Sequence, residues 1–138
     1  KYTGGGDLHL ITPKMAVHAE GRSANMPVAV SLYQPATGGR KGTMVEVHPS
    51  VAGPKGIRTG DLVTIKSSVG SITAIAKVTE LTRPDVLVLP FGQGHWAHGR
   101  WASRHGNGAH VDSITTQQSD RISGMANYYS GKVTIERA

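Results

Sequence analysis

Residues 60–79 read Gly60-Asp61-Leu62-Val63-Thr64-Ile65-Lys66-Ser67-Ser68-Val69-Gly70-Ser71-Ile72-Thr73-Ala74-Ile75-Ala76-Lys77-Val78-Thr79 and contain the clearest local structural pattern in the chain. Apolar and polar side chains alternate on both sides of the turn at Val69-Gly70. This alternation is typical of two antiparallel strands that turn one face toward a core. The stretch therefore predicts a β-hairpin with strands over Leu62–Lys66 and Ser71–Thr79.

Four further segments have the β-branched or apolar character of strands. They are Leu8–Thr12, Thr43–Val47, Asp85–Pro90 and Lys132–Glu136. The uninterrupted apolar run Val86-Leu87-Val88-Leu89 predicts a strand that is buried on both faces. By contrast, the apolar residues of Met15–Asn25 are irregularly spaced, which predicts an ordered loop or one helical turn. Together these segments predict a mainly β domain with short helices.

Composition agrees with a single domain of many short strands. The 138 residues include 18 glycines and 7 prolines, which suit tight turns better than a helical bundle. A formal net charge of +6 favours an anionic partner. The basic residues are scattered and no nucleic-acid-binding motif is present, so nucleic acid is not the expected partner.

Several chemistries are excluded for this chain acting alone. It contains no cysteine, which rules out a disulfide, a cysteine-ligated iron–sulfur cluster and a thiolate nucleophile. No apolar run approaches the length of a membrane span or of a signal-peptide core, so we expect a soluble domain. The glycine tract at the start leads directly into Leu8, which favours a piece of a longer protein.

Residues 91–131 lie between the last two predicted strands and show little periodicity. A connection this long inside a compact domain is usually functional or disordered. Trp96, Trp101, Tyr128 and Tyr129 argue against disorder, because aromatic side chains tend to be packed. We therefore predict an ordered functional loop.

Motifs spread along the chain resemble those of one protein family. In order they are Leu10-Ile11-Thr12, His18-Ala19-Glu20-Gly21-Arg22-Ser23-Ala24-Asn25-Met26-Pro27, Val45-Glu46-Val47-His48-Pro49, Lys55–Val63, Gly92-Gln93-Gly94-His95-Trp96, His98-Gly99-Arg100, Ser123-Gly124 and Val133-Thr134-Ile135. Together they resemble the C-terminal molybdopterin-dinucleotide-binding domain of the dimethyl-sulfoxide-reductase superfamily. The second motif, and the fifth and sixth taken together, are most similar to those of polysulfide, thiosulfate, tetrathionate and arsenate reductases and their degenerate relatives in quinone-linked respiratory complexes. The resemblance covers residues 1–138 as one domain and implies a six-stranded double-psi β-barrel.

The resemblance implies a bis-molybdopterin guanine dinucleotide cofactor with molybdenum or tungsten. Its pyrophosphates need cations and glycine-permitted backbone amides, and its bases need amide or hydroxyl partners. We expect these contacts from Thr12, Lys14, His18, Arg22, Asn25, Gly92, Gly94, His95, Trp96, Arg100, Asn107 and His110. At His110 the sequence departs from the family, which often has an asparagine there.

Each of these candidates also has a purely structural interpretation. Lys14 fits an exposed lysine after a strand, and Arg100 fits a solvated arginine. The spacing of His18, Arg22 and Asn25 puts them on one side of a helical turn, which is equally typical of a solvated face. The stretch Gly92–Trp96 fits either a backbone that approaches a ligand or a glycine turn beside a core tryptophan.

Catalysis by this chain alone is not expected. The dispersed acids and serines form no recognisable triad or carboxylate pair. His95, His98, His105 and His110 show no metal-ligand motif, and the resemblance implies a metal ligated outside this chain.

The implied function is to bind and orient the cofactor within a larger oxidoreductase, with a respiratory sulfur-compound or arsenate reductase as the candidate parent. The implied partners are the catalytic molybdopterin domains of the same enzyme, an iron–sulfur electron-transfer subunit carrying 4Fe-4S clusters and, as a further candidate, a membrane quinone-reactive subunit. The implied location is periplasmic or membrane-associated through those partners. The alternatives are a cofactor-free scaffold in a quinone-linked respiratory complex and an independent barrel that binds another anion.

Overall fold

The computed structural model describes residues 6–24, 26–33, 42–94 and 108–138, and its strands close into one barrel. The strands are β1 (Leu8–Ile11), β2 (Met44–Val47), β3 (Leu62–Lys66), β4 (Ser71–Val78), β5 (Val86–Val88) and β6 (Lys132–Arg137). Their order around the barrel is β1-β5-β2-β4-β3-β6, and β6 pairs back onto β1. The predicted mainly β, six-stranded barrel is therefore confirmed.

The predicted hairpin forms one wall of the barrel. Strands β3 and β4 pair antiparallel, with Val63 opposite Ala74 and Ile65 opposite Ile72. Val63 and Ile65 are fully buried, whereas Leu62 on the same strand is 39% exposed. The alternation seen in the sequence thus separates an inward face from an outward face.

The predicted apolar strand β5 is buried almost throughout. Leu87 and Leu89 have no exposed surface, and Val86 is also buried. Removing such a side chain from water stabilises the fold by about 1.5–3 kcal/mol. The strand pairs parallel with β1 and antiparallel with β2, so it is hydrogen-bonded to a neighbour on each side.

Short helices complete the fold. They are α1 (Pro27–Tyr33) and α2 (Pro49–Ala52), with single 3₁₀ turns at Ala19–Gly21, Gly53–Lys55 and Val111–Ile114. The turn at Ala19–Gly21 confirms the prediction of a loop or one helical turn in Met15–Asn25. Within the described ranges, no helix has the length and apolar character needed to cross a membrane.

Strand directions gather the longer connections at one end of the barrel. Because β5 is parallel to β1 and antiparallel to β2, the ends of β1 and β5 lie beside the start of β2. We call this the long-loop end, since the connections β1 to β2 and β5 to β6 lie there. The short-loop end carries the connections β2 to β3 and β4 to β5, residues 48–61 and 79–85.

The expectation of packed aromatic rings in the last connection is wrong for its two tyrosines. Tyr128 is 62% exposed and Tyr129 is 54% exposed, while Trp96 and Trp101 lie outside the described residues. Hydrogen bonds order residues 118–127 instead. The amide of Asn127 donates to the carbonyl of Gln118 at 2.7 Å, and the Asp120 carboxylate accepts from the amides of Ile122 and Ser123.

Candidate functional site

The segments that leave β1 and β5 run side by side at the long-loop end. The amide of Leu89 donates to the carbonyl of Ile11 at 2.9 Å, and that of Phe91 donates to the carbonyl of Pro13 at 3.4 Å. The parallel pairing therefore continues past both strands. It brings Thr12, which is partly exposed, close to the start of the glycine turn that contains Gly92 and Gly94.

Gly92 and Gly94 both adopt the left-handed backbone that favours glycine, with φ of +84° and +78°. A Cβ on Gly92 would lie 2.8 Å from the Cα of Gly21, and one on Gly94 would lie 2.3 Å from the backbone nitrogen of His110. The space left by the missing side chains is thus occupied by this chain's own backbone. These glycines join three segments, and their contact with a cofactor stays a prediction.

His18 is the buried link between the first two of these segments. Its side chain is 1% exposed, its Nδ1 lies 2.8 Å from the Ser23 hydroxyl, and its Nε2 lies 2.5 Å from the Gly92 carbonyl. Because a carbonyl oxygen only accepts, Nε2 must carry a proton and donate. In these contacts the His18 ring holds the glycine turn against residues 18–23.

Lys14 and Arg22 both supply positive charge at this end, but they differ in whether a carboxylate partner is present. Lys14 is exposed and forms an ion pair with Glu20. Arg22 is also exposed, and within the described parts of the chain it has no carboxylate partner. A guanidinium without a carboxylate partner is suited to pair with phosphate.

The expected common face of His18 and Arg22 is wrong, because His18 points into the fold and Arg22 is exposed. The cause lies in the residue between them. Glu20 has φ 58° and ψ 32°, a left-handed conformation that interrupts the helical turn on which the spacing argument depends. Asn25, the third member of the predicted set, lies outside the described residues.

A buried polar cluster that the sequence did not reveal lies beside the glycine turn. The Thr43 hydroxyl donates to Oε1 of Gln93 at 2.6 Å and accepts from the amide of Ala109 at 2.7 Å. Nε2 of Gln93 donates to the sulfur of Met15 at 3.4 Å. The hydroxyl's two bonds join positions 50 and 66 residues apart, so no local pattern could have indicated them.

His110 lies two residues after Gly108, in the connection between β5 and β6. It is exposed and lies immediately before the 3₁₀ turn Val111–Ile114, with Nδ1 3.3 Å from the Ser113 hydroxyl. The remaining predicted site residues lie outside the described residues; they are His95, Trp96, Arg100 and Asn107.

The described side chains at the long-loop end include several that are suited to binding an anion. In the ranges that the structure describes, no group of three or more His, Asp or Glu side chains is placed to hold a metal ion. What this end offers is the Arg22 guanidinium, the Thr12 hydroxyl, the His110 imidazole and glycine backbone. These groups fit an anionic ligand that is rich in hydrogen-bonding atoms, such as a pterin dinucleotide.

Fold and site together define a small ligand-binding barrel domain. A protein-family model described as "Molydopterin dinucleotide binding domain" matches residues 8–131. The chain belongs to this family, and the predicted cofactor class, a molybdopterin dinucleotide, is thereby confirmed.

Similar proteins agree with the predicted branch of the family. The chain is 34% identical over 136 residues to the arsenate respiratory reductase molybdopterin-containing subunit ArrA of Shewanella sp. (strain ANA-3). It is 31% identical over 132 residues to the thiosulfate reductase molybdopterin-containing subunit PhsA of Salmonella typhimurium. The alignments cover 94% and 96% of this chain but only 16% of either relative. The resemblance to the thiosulfate and arsenate reductase branch is confirmed.

A solved structure supports the fold independently. Acetylene hydratase from Pelobacter acetylenicus superimposes with a TM-score of 0.75 over 96% of this chain and 18% of its own, at 11% sequence identity. At that identity the likeness concerns the fold alone.

Proposed function

We propose that this chain is the domain of a larger molybdenum or tungsten oxidoreductase that binds and orients a bis-molybdopterin guanine dinucleotide at its long-loop end. The observation that carries the proposal is the convergence of three segments there. Residues 12–24, 89–94 and 108–110 are joined by the His18–Gly92 bond, the Thr43 bonds and the contact of Gly94 with His110. All three lie within the part of the chain that matches the family.

The described residues contribute position and charge. The Arg22 guanidinium and the Lys14 ammonium would face the pyrophosphates, while Thr12 and His110 would donate to or accept from the bases. His18 would contribute indirectly, because its ring holds the glycine turn in position through the bond to the Gly92 carbonyl. When bound, the cofactor supplies a redox-active metal held by dithiolene sulfurs, and any protein ligand to that metal lies outside this chain.

The parent enzyme in this proposal reduces arsenate or a sulfur compound, as the names of the two relatives suggest. It supplies the catalytic molybdopterin domains and works with an iron–sulfur subunit that carries 4Fe-4S clusters, either in the periplasm or on a membrane through its partners. Nucleic acid is not a proposed partner. The alternative of a cofactor-free scaffold in a quinone-linked complex finds no support in these similarities.

The direct test is metal and guanine-nucleotide analysis of the natively purified assembly that contains this chain. We expect molybdenum or tungsten, with twice as many guanine nucleotides as metal ions. Absence of both from an intact, folded assembly would refute the proposal.

A matched pair of arginine variants locates the site. Arg22→Gln removes an exposed cation at the long-loop end that has no carboxylate partner among the described residues, and Arg58→Gln removes an exposed arginine at the short-loop end. We expect retention of the cofactor during gel filtration to fall about tenfold for Arg22→Gln, which corresponds to one charge-assisted hydrogen bond. Arg58→Gln should retain the cofactor like the wild type, and equal losses would place the site elsewhere.

A further inference from the structure

The hydroxyl of Thr43 is buried and makes one donated and one accepted hydrogen bond. Its residue is 1% exposed, and its oxygen both donates to Gln93 and accepts from the amide of Ala109. A hydroxyl has a single proton, so these two bonds fix its orientation. Thr43 thereby connects the start of β2 to the turn after β5 and to the backbone at Ala109.

Gln93 extends this connection to the segment after β1. It is 6% exposed, its carbonyl oxygen faces Thr43, and its amide nitrogen faces the sulfur of Met15. Because the threonine proton points at Oε1, the amide has one orientation that satisfies both neighbours. Thr43 and Gln93, which we call the clasp, therefore join four segments of the long-loop end.

The clasp lies among the predicted cofactor contacts without being one of them. Gln93 stands between Gly92 and Gly94, and Ala109 directly precedes His110. The backbone of Gly94 already abuts that of His110 so closely that a Cβ would not fit. Loss of the bond to the Ala109 amide would therefore let His110 and the glycine turn shift relative to each other.

We propose that Thr43 and Gln93 are positioning residues that set the relative placement of the glycine turn and His110, and so the fit of the cofactor. This inference rests on the function proposed above. Neither side chain contacts the cofactor in this account. Their contribution is made through the backbone that carries the predicted contacts.

The test uses the full-length protein, purified natively with its cofactor. Thr43→Val keeps the shape of the side chain but removes the hydroxyl, whereas Thr43→Ser restores it. We expect Thr43→Val to lose hydrogen-exchange protection at the Ala109 amide and to release guanine nucleotide about tenfold faster, the effect of one buried bond. Thr43→Ser should recover both the exchange protection of the Ala109 amide and the slow release of guanine nucleotide. If Thr43→Val does not fold, Gln93→Met, which lacks the acceptor for the Thr43 proton, takes its place. It should also release guanine nucleotide faster, while the Ala109 amide, still bonded to the Thr43 hydroxyl, keeps its exchange protection.

Thr82→Val is the matched control. Thr82 is buried at the short-loop end, and its hydroxyl donates to the carbonyl of Thr79 at 3.3 Å. The Thr82→Val variant should have a lower melting temperature than the wild type but the same rate of cofactor release. A loaded Thr43→Val protein that releases cofactor like the wild type, or a Thr82→Val protein that releases it equally fast, would overturn the inference while leaving the proposed function intact. A wild-type protein without cofactor would refute the proposed function itself and the inference with it.

Discussion

The two ends of the barrel are held together in different ways. At the long-loop end, side-chain hydrogen bonds join residues 74, 50 and 66 positions apart, and they involve the buried residues His18 and Thr43. At the short-loop end, Asp61 accepts from the amide of Arg58 three positions away, Arg83 donates to Asp85 two positions away, and the Thr59 hydroxyl accepts from the amide of Val78 19 positions away. These three bonds are exposed and span fewer positions than the three long-range bonds of His18 and Thr43 at the candidate site.

The largest expected effect comes from the glycines at the two ends. Gly94→Ala places a Cβ against the backbone of His110 at φ +78°, and we expect a loss of about 3 kcal/mol in the free energy of unfolding from strain plus overpacking. Gly56→Ala, at the short-loop end, has φ +64° but open space around its Cβ, so about 1 kcal/mol is expected from the backbone alone. Urea denaturation of both variants provides the measurement.

Equal losses for the two glycine variants would remove the contrast. In that case the close approach of the Gly94 and His110 backbones would not contribute to stability, and the long-loop end would be no more tightly packed than the other.

The next effect concerns the buried histidine. His18→Leu removes the ring nitrogens that bond Ser23 and the Gly92 carbonyl, and about 2 kcal/mol of stability should be lost because buried polar atoms remain without partners. Arg83→Gln breaks an exposed pair at the short-loop end and should change stability too little to measure. Denaturant unfolding of both variants tests this, and a larger loss for Arg83→Gln would contradict it.

This contrast also explains what the sequence could predict. The alternation around Val63 and Ile65 is a local pattern, and it identified both strands of the hairpin to within one residue. The clasp of Thr43 and Gln93 has no local pattern, because its partners meet only after the barrel closes. The motifs that carry the resemblance include segments that the fold brings together at the long-loop end, and their contact with the cofactor stays a prediction.

Individual side chains within those segments were less predictable. The spacing of His18 and Arg22 suggested a shared face, yet the left-handed backbone of Glu20 separates them. The close approach of Gly92 to Gly21 and of Gly94 to His110 could not be predicted either, because these residues are far apart in the sequence. A single sequence contains the residue types of the site, but the contacts between segments depend on the closed fold.

The smallest effect is electrostatic and belongs to the short-loop end. The hydrogen bond from the Arg83 side chain, followed by a backbone hydrogen bond, holds the pKa of Asp85 below its ordinary 3.8. A lowered pKa means that this carboxylate stabilises the fold above pH 3.8 and that the contribution is lost as the pH falls through the lowered value. A carboxyl NMR titration should give a midpoint below 3.8, which Arg83→Gln raises toward 3.8.

Salt provides the control for this titration. Because the pair is exposed, about 1 M salt should reduce the shift of the Asp85 pKa. A wild-type midpoint at or above 3.8 would contradict the local hydrogen bonds assigned to this end.

We propose that the cofactor binds at the long-loop end of the barrel. Hydrogen exchange of the full-length protein, compared between its cofactor-loaded and cofactor-free forms, measures which residues the cofactor protects. We predict that loading slows exchange in residues 12–24, 92–94 and 108–110 and leaves residues 53–61 and 79–85 unchanged. Unchanged exchange at the long-loop end, or protection confined to the short-loop end, would contradict the claim.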